Sequence, residues 1–119
     1  MIDTNSAIDL IEQGLKISGY NIIPNLKSFK VKDLFEIYSK KFNLKYSIGN
    51  PRISEKIHEV MISKEEMPRT KFIKDSNVYY MHYKNITSTP IREEFTSDKV
   101  VVSKKELESI LESYNYFKF

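Results

Sequence analysis

The chain has 119 residues, of which 40% are hydrophobic, 29% charged and 13% aromatic; this is enough for one domain with a core and excludes a disordered polymer. It contains no cysteine, which excludes disulfide frameworks, thiolate zinc sites and cysteine nucleophiles. Lys and Arg number 19 against 16 Asp and Glu, a net charge of +3, too small by itself to identify a polyanionic partner.

No apolar run approaches the roughly 18 residues of a membrane span, and the N-terminus lacks a signal-peptide core. A cytoplasmic protein with no membrane partner is the expectation. The charge is also unevenly placed. Residues 1–29 sum to −1, residues 30–84 carry twelve basic and seven acidic side chains for +5, and residues 85–119 sum to −1. A concentrated basic stretch can be an electrostatic footprint for nucleic acid; a solvated lysine-rich surface has the same composition.

Residues 5–18 predict a first helix, capped by Thr4 or Asn5, with an apolar stripe of Ile8, Ile11 and Leu15 and Gly19 just past its end. Tyr20 to Ser28 holds Pro24 and two asparagines and predicts a connection. Residues 32–42 predict the clearest helix of this half, with Val31, Leu34, Phe35, Tyr38 and Phe42 as its buried face. Asp33 in the first turn and Lys40 and Lys41 in the last complement the helix dipole. Asn43 to Gly49 breaks the pattern. A third helix is expected from Asn50-Pro51 to about residue 62, since Asn is a favoured cap and Pro fits the first turn. Its apolar side is Ile53, Ile57, Val60 and Met61. Leu34, Phe35, Tyr38, Ile53 and Ile57 are then expected to pack together.

Beyond Pro68 the periodicity becomes strand-like. Arg69 to Lys74 and Val78 to Tyr83 flank Asp75-Ser76-Asn77, a turn sequence that tolerates left-handed backbone. Residues 85–98 show no period, and Val100 to Val102 predicts a short buried strand. Ser103-Lys104-Lys105-Glu106 is a capping box with Val102 and Leu107 as its hydrophobic staple. It opens a helix over about 103–114 with a stripe of Leu107, Ile110, Leu111 and Tyr114. That stripe needs cover, either as a homodimer interface or against the first helix.

Helix, short segment, helix, turn, helix and hairpin, in this order, resemble the winged helix-turn-helix superfamily over about residues 5–84. Val31-Lys32-Asp33-Leu34-Phe35-Glu36-Ile37-Tyr38 is similar to the helix opening in small winged-helix modules of phage and mobile-element replication proteins. The hairpin Arg69 to Tyr83 is similar to their wing. The resemblance implies an α+β fold: a winged-helix-like core, a hairpin wing, and an added C-terminal strand and helix in residues 85–119. It makes the helix from Pro51 the recognition helix and Asp75 to Asn77 the wing tip. The segment Asn43 to Gly49 is longer than the tight turn of many such domains.

The physical chemistry of that arrangement supplies candidate contacts to double-stranded DNA. A helix fits the major groove, where Arg52 can bond guanine, Ser54 a phosphate or base edge, and Lys56 a phosphate. Lys71 and Lys74 on the hairpin, Asn77 at its tip and Lys45 before the helix complete the set. The expected function is that of a non-enzymatic DNA-binding protein, a small regulator or accessory replication factor of a phage or mobile element. The alternative is a protein-binding inhibitor or adaptor that docks an acidic partner, favoured by Glu55 and Glu59, which repel phosphates. No cofactor or metal is expected: His58 and His82 lack a ligand-spaced carboxylate motif, three glycines make no phosphate-cradling loop, and no acid–base pair can be assembled.

Overall fold

A computed structural model describes residues 1–118. In chain order the elements are α1 (Thr4–Leu15), β1 (Tyr20–Pro24), α2 (Val31–Phe42), β2 (Val60–Ile62), β3 (Thr70–Ile73), β4 (Val78–His82), β5 (Phe95–Thr96) and α3 (Lys104–Ser113). Short 3-10 turns cover Met67–Arg69 and Ser97–Val100. The fold is α+β.

The predicted hairpin forms. β3 and β4 pair antiparallel from Thr70 opposite Met81 to Ile73 opposite Val78. Asn77 closes the turn at φ 53° and donates its N–H to the Lys74 carbonyl. The hairpin is not isolated, however. Tyr20 to Pro24, expected to be a connection, is strand β1 and pairs antiparallel with β4, giving the order β1-β4-β3. Ile22 and Ile23 supply β propensity, and Pro24 is tolerated because it ends an edge strand. Gly19 opens this strand at φ +86°, where its carbonyl accepts from Tyr83 N–H.

Alternation along the strands divides the aromatics between two faces. Tyr20 and Tyr80 meet on one face with ring centroids 5.8 Å apart. On the other, Tyr79 lies between Phe72 at 4.8 Å and Phe95 at 5.0 Å. A second sheet joins β2 to β5 across an irregular register, and buries Ile62 completely. Val100 to Val102, expected as a strand, makes only a single parallel bridge, between Val101 and Ser28, although Val102 is buried.

The helical core lies between α2 and α3. Ile37, Val102, Leu107 and Leu111 form its buried cluster, with Leu34, Tyr38, Phe29 and Phe117 packed around it. Ser103 caps α3 as its sequence signals, its hydroxyl accepting from Glu106 N–H at 3.2 Å. The Glu106 carboxylate turns away from the cap and pairs with Lys27.

Five expectations are corrected here. The helix from Pro51 to residue 62 is not formed: residues 43–59 are irregular, and Val60–Ile62 is drawn into β2. A short helix is held by packing of its apolar face, and Ile53 and Ile57 find nothing to pack on, at 100% and 92% exposure. The cluster of Leu34, Phe35, Tyr38, Ile53 and Ile57 therefore does not exist. Within α2 the buried residue is Ile37 at 3% exposure, whereas Phe35 is 51% exposed, because α3 covers the side of α2 that Ile37 occupies. Leu107 and Leu111 are 1% and 5% exposed inside the chain's own core, so they offer no homodimer interface; Ile110 is half-buried and Tyr114 exposed. The intramolecular alternative is corrected too, since α3 packs on α2 and the α1 stripe of Ile8, Ile11 and Leu15 remains exposed.

Candidate functional site

Every residue from 43 to 61 is exposed, and this segment carries Lys45, Arg52, Ser54 and Lys56. Its start is fixed to the end of α2. Asn43 takes a left-handed conformation at φ 51°, Leu44 N–H donates to the Ser39 carbonyl, and Ser39 hydroxyl donates to the Leu44 carbonyl. Tyr46 then stacks on Phe35 with centroids 5.9 Å apart. Its far end is fixed to the second sheet, where Glu59 N–H donates to Ser97 Oγ at 2.9 Å and Ser97 N–H to the Glu59 carbonyl at 2.9 Å. Between these anchors there is one local turn. Arg52 N–H donates to a Glu55 carboxylate oxygen at 2.9 Å, and Glu55 N–H returns to the Arg52 carbonyl at 3.1 Å. Ser54 sits inside that turn at φ +70°, a left-handed conformation costing a non-glycine residue on the order of 1 kcal/mol.

Arg52, Ser54 and Lys56 therefore share a segment, not a helical face. Lys71, Lys74 and Asn77 belong to a separate element, the β3–β4 hairpin. Lys71 is half-buried with its ammonium 5.5 Å from the Tyr20 ring centroid, a cation–π distance. Lys74 is exposed in the turn. Asn77 is committed to structure: its side-chain oxygen accepts from Asn25 Nδ2 at 3.0 Å, and its carbonyl accepts from Asn25 N–H at 3.2 Å.

The ion pairs sort the charges. Among the described residues they join Lys27 to Glu106, Lys32 and Lys104 to Glu36, Lys41 to Glu112, Arg69 to Glu66 and Lys99 to Glu93. None involves Lys45, Arg52, Lys56, Lys71 or Lys74. The hydrogen bond from Lys104, aided by its charge and that of Lys32, holds the Glu36 carboxyl below the ordinary glutamate value. Glu36 and Glu112 are thus taken up by lysines at the α2–α3 contact, while the cations of the segment and hairpin turn, like Glu55, Glu59 and Asp75 beside them, make no ion pair among the described residues.

A feature absent from the sequence expectations lies beside the segment. Phe35, Tyr38, Leu44, Lys45 and Tyr46 line an open groove of about 370 Å³ whose walls are almost wholly apolar. Its sequence signal is weak: Leu44 and Tyr46 are apolar residues just past the end of α2, and nothing in their spacing marks a groove.

The histidines have no common site. His82 Nδ1 accepts from Lys84 N–H at 3.0 Å and Asn85 N–H at 2.8 Å, and its ring meets the edge of Tyr20 at 4.9 Å; it orders the chain after β4. No group of three or more metal-ligating side chains occurs among the described residues, and no helix there is long and apolar enough to cross a membrane. No protein-family model matches the chain, and no curated protein matches it.

Proposed function

We propose that the protein is a non-enzymatic DNA-binding protein that grips the phosphate backbone of a duplex through residues 43–59 and the β3–β4 turn. The observation that carries this reading is a set of exposed cations without ion pairs on irregular chain. Lys45, Arg52 and Lys56 on the segment and Lys74 in the turn have no carboxylate partner among the described residues, a property they share with Lys16, Lys30, Lys40, Lys64 and Lys105; what sets them apart is that the segment concentrates three of them on one fully exposed stretch. An unpaired exposed cation gives up little on meeting a phosphate, and the counterions released from DNA drive the association. With no helix beneath Arg52, Ser54 and Lys56, base-edge readout in the major groove has no element to deliver it. The contacts this reading supports are with phosphates, and they carry no sequence information.

Fluorescence anisotropy with a random duplex tests it. About five phosphate contacts, from Lys45, Arg52, Lys56, Lys71 and Lys74, predict that log K falls against log salt with a slope of about −4 to −5. Arg52→Ala is expected to weaken all sequences alike and to reduce the slope by about 1. Binding that is undetectable at low salt, or independent of salt, contradicts the proposal. Retention of poly-glutamate with no affinity for duplex transfers the same cations to an acidic protein partner.

A further inference from the structure

The same chain presents an apolar segment with nothing over it and an apolar groove with nothing in it. We infer that each is the other's partner in a two-fold homodimer. Ile53 and Ile57 of one copy enter the groove formed by Phe35, Tyr38, Leu44 and Tyr46 of a second, and the reverse contact closes the pair. Phosphates give no reason for these isoleucines to be exposed; a second copy does.

Three quantities support a second copy as the occupant. The first is total surface. A compact monomer of 14.1 kDa exposes about 6,700 Å², whereas this chain exposes 9316 Å². Its radius of gyration is 17.3 Å, against about 13.5 Å for a compact domain of this length. The second is the apolar share of that excess. Phe35, Leu44, Tyr46, Ile48, Ile53 and Ile57 are each between two-fifths and fully exposed, together on the order of 800 Å², which is what each partner gives to a standard-size interface. The third is fit. Two isoleucine side chains occupy roughly 200 Å³ at protein packing density, which the groove of about 370 Å³ accommodates.

The charges agree with this pairing. Lys45 at the groove rim has no carboxylate partner in its own chain among the described residues, and the incoming segment carries Glu55 and Glu59 beside its isoleucines. Isologous exchange uses each surface twice and closes without leaving either exposed. Arg52 and Lys56, the segment's other cations, are not consumed by the apolar contact; Lys45 is the one cation that the dimer and the DNA reading both use, and the dimer does not depend on that reading.

Sedimentation equilibrium of the full chain tests the dimer. The expected result is a dimer at micromolar concentration that Ile53→Glu/Ile57→Glu converts to a folded monomer, with an unchanged circular dichroism spectrum because both side chains lie outside the core. A monomer at every concentration overturns the inference, as does a dimer that survives this variant or dissociates only with Ile11→Glu in α1. The pairing is tested by cysteine cross-linking, which has no native thiol to confuse it. Mixed Phe35→Cys and Ile53→Cys chains are expected to form the heterodisulfide in preference to either homodisulfide. In a chain carrying both cysteines, an intramolecular disulfide that leaves the protein monomeric overturns the exchange.

Discussion

At the scale of single residues, burial separates side chains that the sequence makes look alike. Phe35 and Ile37 are two positions apart on α2, yet only Ile37 belongs to the cluster with Val102, Leu107 and Leu111. Ile37→Ala and Leu111→Ala are each expected to cost about 2–5 kcal/mol in denaturant unfolding, the range for a buried aliphatic truncation. Phe35→Ala keeps half its surface in water already and is expected to cost under about 1.5 kcal/mol; a loss of 3 kcal/mol or more places its ring in the core. The stripe Val31, Leu34, Phe35, Tyr38 and Phe42 reveals that α2 is amphipathic, but not which edge of a broad apolar face meets α3. Ile37 escaped the stripe because its partner, α3, lies some seventy residues away. Glu36 gives a pH-dependent counterpart. Its carboxyl is lowered by the Lys104 hydrogen bond first and by the charges of Lys104 and Lys32 after it, so the stability it contributes is present above the ordinary glutamate value. That contribution is lost as pH falls from there through the lowered folded value. Thermal unfolding of Glu36→Gln is expected to fall below the parent at neutral pH and to converge with it at the acid end of this window. A constant difference across the window contradicts the assignment.

At the scale of elements, what was legible in the sequence was what local chemistry decides. The α3 cap needs only Ser103 and the amide three residues on, and Ser103→Ala is expected to cost about 1 kcal/mol. The β3–β4 turn needs only Asp75 to Asn77, and α2 needs only its period. β1 was not legible, because Asn21 and Pro24 argue against a strand and its partner β4 lies almost sixty residues away. Residues 50–61 are the opposite case. Cap, proline and apolar spacing all satisfy a helix, but helix formation also requires a surface for Ile53 and Ile57, and β2 takes the segment's far end instead. The candidate site shares this fate. Its residue types were legible, whereas the geometry meant to aim Arg52, Ser54 and Lys56 into a groove depended on the helix. Lys45, Arg52, Lys56 and Lys74 survive as unpaired cations, and Asn77 becomes a clasp on Asn25.

At the scale of the whole molecule, burial is divided between the α2–α3 cluster and the two sheets. At the sheets Ile62, Val78, Met81 and Phe95 are buried, with Val78 and Met81 on opposite faces of β4. The chain from Asn43 to Glu59 connects the end of α2 to the second sheet with every residue exposed, and the molecule extends over 52 × 33 × 21 Å. This connecting segment carries Lys45, Arg52 and Lys56 against Glu55 and Glu59, an excess of one positive charge, so a polyanion is attracted to it modestly and held against salt only weakly. The central claim is that this segment and the β3–β4 turn form the binding surface. Titration of the isotopically labelled chain with a short duplex at low salt, followed by amide chemical shifts, tests it most directly. The account predicts shifts at Lys45, Arg52, Lys56, Lys71 and Lys74 that reverse on adding salt, with α1 and α3 unmoved. Shifts confined to α1 or α3, or no shifts at saturating duplex, contradict it.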